Sequence, residues 1–292
     1  MKQLIIVLLL IIFSSRSRQA PNTVQLAETT LETESKINTE QEPPQEITNI
    51  SIFEEGGKYG LIDYNGQIIS LPQWDEIWDF SENMAVVESN GKFGFVSTEG
   101  NIISSDWDEA WNFNEGLALV EQNGKYGFIN KNGEVIVDII WDNAWDFNEG
   151  FAPVELNGLY GFVDHTGEIL QELIWDDVWN FVNGRALVLS NGKYGFIGTT
   201  GEVISEPTWD AAWDFDNNVA LVQKNDFFGL IDINGNIVVE PEWDMVWDFI
   251  PGYAVVEQNG LHGILDLNGN VLHEPTIEDF WETLQNIDLA FD

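Results

Sequence analysis

The stretch WDEAWNFNEGLALVEQNGKYGFINKNGEVIVDII, residues 107–140, contains the signals that decide the fold. Its segment GLALVEQ alternates Ala118 and Val120 with leucines, which is the period of a β-strand. Asn-Gly pairs at 123–124 and 132–133 are strong hairpin signals, and short apolar runs follow each of them. The stretch therefore predicts a small antiparallel meander of three strands.

Two features of this meander indicate close packing. Alanine and valine recur at the places of Ala118 and Val120 in six units, so we expect their face to be the tight interior one. Gly127 lies inside the second strand, where glycine normally weakens pairing. We expect that a neighbouring unit's tryptophan lies flat where a Cβ would clash. The recurring glycines are Gly60, Gly94, Gly127, Gly161, Gly195, Gly229 and Gly263.

The segment WDEAWNF at 107–113 does not follow strand alternation. Trp107 and Trp111 are four residues apart, as on one face of a helical turn. Because the segment is too short for a stable helix, it predicts a turn or 3₁₀ connector. Asp108 would then accept backbone N–H bonds as a cap.

The whole unit repeats along the chain. The first tryptophans are Trp74, Trp107, Trp141, Trp175, Trp209 and Trp243. The second tryptophans are Trp78, Trp111, Trp145, Trp179, Trp213 and Trp247. A seventh, degenerate copy, IEDFWET at 277–283, keeps only Trp281. We predict an all-β fold of seven tandem β-meander repeats forming an open superhelical, solenoid-like array. A closed seven-bladed β-propeller is the alternative, although its blades usually have about 40–45 residues.

These residues together resemble the bacterial WG-repeat family, also called KWG repeats. The pattern reads WDNAWDFNEGFAPVELNGLYGFVDHTGEIL at 141–170, and the resemblance extends over about 50–283. In place of the family's WG tryptophan this chain has Tyr59, Phe93, Tyr126, Tyr160, Tyr194, Phe228 and His262. Tryptophan also replaces the family's usual tyrosine at the first aromatic position. The resemblance implies a β-rich repeat module, usually exported or fused to other domains, without catalytic residues.

The chain before the repeats predicts export. Residues 1–17 have one early lysine followed by ten apolar residues, which is typical of a signal peptide. An uncleaved N-terminal anchor is the alternative, and it would be the only membrane attachment. Residues 18–49 are rich in Thr, Glu, Gln and Pro and predict a disordered acidic linker. Residues 284–292 form a C-terminal cap or tail. We expect a periplasmic, cell-surface or secreted location and a monomer.

The charge balance restricts the partners. Fifty acidic residues against 11 basic ones give a net charge of −39, which repels nucleic acid phosphates and attracts basic partners or cations. The 292 residues include no cysteine, which excludes disulfides, thiolate metal sites and cysteine nucleophiles. We expect no cofactor and no nucleic acid partner.

The repeat architecture bears on two kinds of site chemistry. A glycosidase-like pair of carboxylates is the enzymatic alternative, but repeats distribute residues evenly and do not build one unique site. D-x-N-G at Asp63, Asp232 and Asp266 resembles the start of a calcium loop. The later calcium ligands are missing, so we interpret these motifs as hairpin turns. We therefore predict no metal site and no enzyme.

The second tryptophans are the candidate site. The first tryptophans are expected in the core, because burying an indole removes about 150–250 Å² from water. The second tryptophans either pack in the core too or form a ladder on which a ligand stacks. The sequence thus predicts a non-catalytic, exported interaction module with a protein partner, and a carbohydrate-binding module using the ladder is the alternative.

Overall fold

A computed structural model describes residues 50–250 and 252–279 of the chain. All described residues belong to one compact unit of the chain. The predicted signal peptide, linker and C-terminal tail lie outside the described residues. Within the described part every regular element is a strand, and it contains no helix long and apolar enough to cross a membrane.

Twenty-six strands form seven antiparallel sheets in chain order. The first sheet is β1 (Ile50–Glu55), β2 (Lys58–Asp63) and β3 (Ile68–Trp74). The second is β4 (Glu76–Ile77), β5 (Met84–Ser89), β6 (Lys92–Ser97) and β7 (Ile102–Trp107). The third is β8 (Glu109–Asn114), β9 (Leu117–Gln122), β10 (Lys125–Asn130) and β11 (Val135–Trp141). The fourth is β12 (Asn143–Ala144), β13 (Phe151–Leu156) and β14 (Leu159–Asp164).

The remaining three sheets have four strands each. The fifth is β15 (Asp177–Val182), β16 (Arg185–Ser190), β17 (Lys193–Gly198) and β18 (Val203–Trp209). The sixth is β19 (Ala211–Ala212), β20 (Val219–Lys224), β21 (Phe227–Asp232) and β22 (Ile237–Trp243). The seventh is β23 (Met245–Ile250), β24 (Tyr253–Gln258), β25 (Leu261–Asp266) and β26 (Val271–Ile277). The predicted all-β class of tandem meander repeats is confirmed.

The prediction of a turn or 3₁₀ connector for WDEAWNF is wrong. Residues 109–114 are extended and pair with β9 as a fourth strand, so the meander has four strands and not three. The register shifts between Ala110 and Phe113, which is a bulge that breaks the strict alternation of a regular strand. Asp108 does accept a backbone N–H, but its donor is Asn123 of the following hairpin, at 2.7 Å.

The hairpin signals are confirmed by the backbone. Asn123 and Gly124 both have positive φ, 54° and 74°, as a type I′ turn between β9 and β10 requires. Asp63 opens another turn, where its Oδ1 accepts the N–H groups of Asn65 at 2.9 Å and Gln67 at 2.7 Å. These bonds identify D-x-N-G as turn chemistry.

Packing between consecutive sheets forms the core. In the third sheet Ala118 and Val120 are fully buried, but Leu117 and Leu119 on the opposite face are only 7% and 5% exposed. The alanine–valine face is therefore not the only interior face, because the third sheet is covered on both sides. Each hydrophobic cluster joins residues of one sheet or of two consecutive sheets.

The recurring strand glycine is explained by backbone and not by an indole. A Cβ at Gly127 would lie 2.7 Å from the Val137 carbonyl oxygen and 2.8 Å from the Ile139 Cα. Both atoms belong to β11, whose register shifts where it crosses this glycine. The predicted close approach is thus confirmed. The predicted tryptophan neighbour is wrong, because the bulged last strand of the same meander, β11, occupies the space.

Polar links also connect consecutive sheets. The Asn114 side chain donates to the Phe147 carbonyl at 2.5 Å, and the Gly150 N–H donates to the Glu115 carboxylate at 2.9 Å. The same links recur between other neighbours, from Ser81 to Phe113, from Asn148 to Phe181, from Gly116 to Glu82 and from Gly184 to Glu149. The spacing of one sheet from the next is therefore fixed by hydrogen bonds as well as by the core.

Candidate binding site at the second tryptophans

The second tryptophans occupy one equivalent position in six consecutive sheets. Each indole packs against the ring that stands in place of the family's WG tryptophan in the same sheet, with centroids 5.3–6.0 Å apart and planes 30–43° apart. The pairs are Trp78–Phe93, Trp111–Tyr126, Trp145–Tyr160, Trp179–Tyr194, Trp213–Phe228 and Trp247–His262. We call these six pairs the aromatic pairs.

The two tryptophans of each unit differ in exposure. The first tryptophans are only 3–7% exposed, so their predicted place in the core is confirmed. Trp78 is 38% exposed, and the other second tryptophans are half-buried. The second tryptophans are thus neither fully buried in the core nor fully exposed on the surface. Each presents part of its ring to water while its neighbour covers another part.

Glutamates stand beside the aromatic pair of the third sheet. Glu109 on β8 lies directly opposite Glu121 on β9, and Glu121 lies opposite Tyr126 on β10. Because directly opposite residues project from the same face of a sheet, both glutamates lie on the face that carries Tyr126. Two like charges at opposite positions destabilise a sheet.

The second sheet repeats this arrangement, and later sheets lose it. Glu76 lies opposite Glu88, which lies opposite Phe93. In the sixth sheet the corresponding pair is Ala211 and Gln223. The opposed glutamates were missed by the sequence analysis, because only the register shows that residues 12 apart are neighbours. We call Glu76, Glu88, Glu109 and Glu121 the glutamate row.

A second class of carboxylates holds the hairpins. Asp108 accepts the Asn123 N–H and pairs with the Lys92 ammonium, and these bonds lower the pKa of the Asp108 carboxyl. The Lys92 hydrogen bond is the larger cause. The pKa is lowered in the same way at Asp75, Asp142 and Asp210. These aspartates are structural, since their charge is used within the repeat.

A third class directly follows the second tryptophans. Burial raises the pKa of Asp146 and of Asp214, because surrounding protein reduces the hydration of the charged form. Solvent still reaches both side chains.

The basic side chains of the described residues are engaged within the repeats. Lys131 pairs with Glu82 at 3.0 Å, Arg185 donates to the Ile233 carbonyl at 3.1 Å, and Lys224 lies 5.6 Å from the Trp209 ring centroid. The other lysines pair with the hairpin aspartates, namely Lys58 with Asp75, Lys92 with Asp108, Lys125 with Asp142 and Lys193 with Asp210. The negative charge of the repeats is therefore offset only locally.

The three histidines occupy unrelated places. His165 stacks on Phe147, with centroids 4.5 Å apart, and its Nε2 lies 3.1 Å from Glu115. His262 contacts the Ile277 carbonyl through Nδ1, and His273 contacts the Glu274 carbonyl. Within the described residues, no three histidine or acidic side chains are grouped closely enough to hold a metal ion.

Comparison with solved structures finds only distant likenesses. A eukaryotic initiation factor aligns at 15% identity and TM-score 0.39, over 77% of this chain and 73% of that one. Kluyveromyces lactis Hsv2 aligns at 11% identity and TM-score 0.34, over 66% of this chain and 73% of that one. PorZ of Porphyromonas gingivalis aligns at 9% identity and TM-score 0.30, over 80% of this chain and 37% of that one. We draw no function from likenesses this weak.

The sequence itself identifies the repeats. A search of curated proteins finds no match. The family model for the WG containing repeat matches six consecutive segments, at 59–93, 93–126, 126–160, 160–194, 194–226 and 228–261. These segments cover most of the chain, and each of them spans parts of two consecutive sheets. The chain therefore belongs to the WG containing repeat family.

Proposed function

We propose that this chain is a non-catalytic β-repeat module, exported from a bacterial cell, that binds a basic protein partner. The observation that carries the proposal is the glutamate row beside the aromatic pairs of the second and third sheets. Lysine or arginine side chains of a partner would relieve the repulsion between opposed carboxylates. Their cationic groups would also interact favourably with a partly exposed indole.

Overall charge supports the same partner chemistry. A net charge of −39 attracts basic proteins from a distance and repels nucleic acids and anionic lipids. The basic side chains of the described residues contact groups of the repeats themselves. Export rests on the leader-like residues 1–17, and N-terminal sequencing of the exported protein tests it.

A carbohydrate is the second candidate ligand. Its support is Trp78, whose 38% exposure leaves indole surface on which a sugar ring can stack. The other second tryptophans are half-buried against a neighbouring ring, so they offer less of the flat surface that such stacking needs. This geometry favours the protein partner over a six-site sugar ladder.

A lysine decapeptide tests the proposal on the full chain. Replacing Glu76, Glu88, Glu109 and Glu121 by glutamine should weaken its binding at least about tenfold, or about 1.4 kcal/mol. The matched control replaces four exposed glutamates elsewhere, Glu206, Glu240, Glu242 and Glu274, and changes the net charge equally. Isothermal titration calorimetry at fixed salt measures both variants.

The outcomes separate three interpretations. Selective loss in the glutamate-row variant supports the proposal, whereas equal losses in both variants contradict it and indicate unspecific attraction. Neutral oligosaccharides on a glycan array test the second candidate. Binding of a neutral glycan that is lost in Trp78→Ala, but kept in the glutamate-row variant, would replace the protein partner by a carbohydrate.

A further inference from the structure

The exposed aliphatic side chains of the repeats are concentrated on the segment that ends each sheet. The residue two places after the glycine of the last turn is isoleucine or valine in all seven sheets, and it is 43–50% exposed. These residues are Ile68, Ile102, Val135, Ile169, Val203, Ile237 and Val271. One exposed aliphatic residue is ordinary on a protein surface, whereas contiguous apolar surface with a polar rim marks an interaction site.

The third and fourth sheets carry a second exposed aliphatic residue in this segment. Ile140 in the third sheet is 48% exposed, and Ile174 in the fourth is 50% exposed. The residue at this place is polar in the other five sheets, namely Gln73, Asp106, Thr208, Glu242 and Thr276. Apolar surface is therefore largest where the third and fourth sheets end. We call Val135, Ile140, Ile169 and Ile174 the aliphatic patch.

Contacts between the two sheets make the aliphatic patch one surface. At the start of the two segments, a Cβ at Gly167 would lie 2.8 Å from the carbonyl oxygen of Ile136. Near their ends, Leu173 packs against the hydrophobic cluster that contains Trp141. Each of these four residues is next to a member of the aliphatic patch or two places from one. The four aliphatic side chains therefore lie on adjoining segments.

Acidic side chains border the aliphatic patch. Glu134 and Asp138 lie in the segment of the third sheet, Glu168 and Glu172 occupy the same places in the fourth, and all four are exposed. The ion pairs within residues 50–250 and 252–279 join lysines and histidines to other carboxylates. Within that part of the chain, the negative charge of this border is thus not offset by an ion pair.

We infer that the aliphatic patch binds a cationic amphipathic segment of a partner protein, in which lysine or arginine alternates with aliphatic residues. The aliphatic side chains of that segment would cover the patch, and its cationic groups would meet the four bordering carboxylates. A second copy of this chain fits less well, because a net charge of −39 on each copy opposes their association. The surface lies on other strands than the glutamate row, so it does not depend on the proposed function.

Two decapeptides of equal charge test the inference, one alternating lysine with leucine and the other alternating lysine with serine. The starting protein is the full chain with the four glutamates of the glutamate row replaced by glutamine, so that this row does not contribute. Isothermal titration calorimetry at fixed salt measures both affinities. We expect the lysine–leucine peptide to bind at least about tenfold more tightly. Equal affinities would show that charge alone attracts the peptides and would overturn the inference.

The test variant adds Ile140→Thr and Ile174→Thr, because threonine occupies this place in the fifth and seventh sheets. The lysine–leucine peptide should then bind at least about tenfold more weakly. The matched control adds Leu71→Thr and Leu272→Thr, which are 68% and 46% exposed in the end segments of the first and seventh sheets. It should leave the affinity unchanged. Equal losses in the two variants would indicate unspecific apolar adhesion and would overturn the inference.

A charge variant keeps the inference falsifiable if the threonine variant folds poorly. Glu134→Asn with Glu168→Asn should weaken the lysine–leucine peptide, and asparagine is the natural residue at this place in the second, sixth and seventh sheets. Glu206→Asn with Glu240→Asn is the control of equal charge, and an equal weakening there would contradict the inference. Sedimentation equilibrium of the starting protein tests a second copy as occupant. Dimers that disappear in the threonine variant would assign the patch to self-association and overturn the inference.

Discussion

The third and sixth sheets have the same interior and different edges. Trp111–Tyr126 and Trp213–Phe228 both have centroids 6.0 Å apart. Asp108 and Asp210 bind a lysine and a hairpin N–H in the same way. The row opposite the aromatic pair differs, because the third sheet has Glu109 and Glu121 where the sixth has Ala211 and Gln223.

This difference separates what folds the repeat from what varies on it. Positions that pack or hold hairpins keep their residue types in both sheets. The residues of the polar row differ in charge from sheet to sheet. Opposed glutamates weaken a strand pair, and a feature that breaks a local rule indicates a functional position.

Removing a core ring should have the largest effect and should not distinguish the two sheets. Phe113 and Phe215 are 1% and 3% exposed and meet Phe95 and Phe196 edge to face. Phe113→Ala and Phe215→Ala should each cost about 3–5 kcal/mol through lost burial and a cavity. Thermal unfolding measures both, and Phe227→Ala, at a 43% exposed position, is the control. A marked difference between the stability losses of the two variants would show that the interiors of the third and sixth sheets are not equivalent.

Replacing the glycine inside the second long strand of a sheet should cause the second-largest loss of stability. A Cβ at Gly127 meets the Val137 carbonyl oxygen at 2.7 Å, and one at Gly229 meets the Val239 carbonyl oxygen at 2.5 Å. Gly127→Ala and Gly229→Ala should each cost about 1–3 kcal/mol, because backbone cannot move aside as a side chain can. Gly161→Ala is the matched control, because its nearest neighbour is the Leu173 side chain at 3.0 Å. Equal melting temperatures for all three variants would refute the backbone clash.

Much of this architecture could be predicted from sequence, and the missing parts share a cause. The hairpins follow from local turn chemistry at Asn123-Gly124, and the buried first tryptophans follow from the size of the indole. WDEAWNF was misassigned because its bulge hides the strand period. The neighbour of Gly127 and the glutamate row depend on register, which a single strand does not encode.

The hairpin aspartates Asp108 and Asp210 should contribute to stability in a pH-dependent way, and equally in the third and sixth sheets. Hydrogen bonds from Lys92 and Lys193 lower the pKa of Asp108 and Asp210 in the folded protein. Their stabilisation is therefore present above the ordinary value of about 3.8 and lost as the pH falls through the lowered pKa. Asp108→Asn and Asp210→Asn should melt earlier at pH 7, and the difference should vanish in acid.

Melting curves between pH 2 and 7, chosen to span the ordinary aspartate pKa, measure this difference. Asp176→Asn is the control, because Leu159 stands where the units of Asp108 and Asp210 have a lysine, although Asp176 still accepts the Asn191 N–H. A smaller effect is expected there. A difference that grows in acid at Asp108 or Asp210 would contradict the assignment.

The smallest effect should come from a charge difference between the sixth and third sheets, at the residue that follows the second tryptophan. Asp214 follows its second tryptophan where the third sheet has Asn112, and burial raises the pKa of Asp214. A raised pKa means that ionisation costs stability, fully above the folded pKa and not at all below the unfolded one. Asp214→Asn should therefore raise the melting temperature slightly at pH 7 and leave it unchanged in strong acid. Asn112→Asp should do the reverse in the third sheet, and a gain at Asp214 that persists in acid would show that the amide stabilises through a contact and not through lost charge.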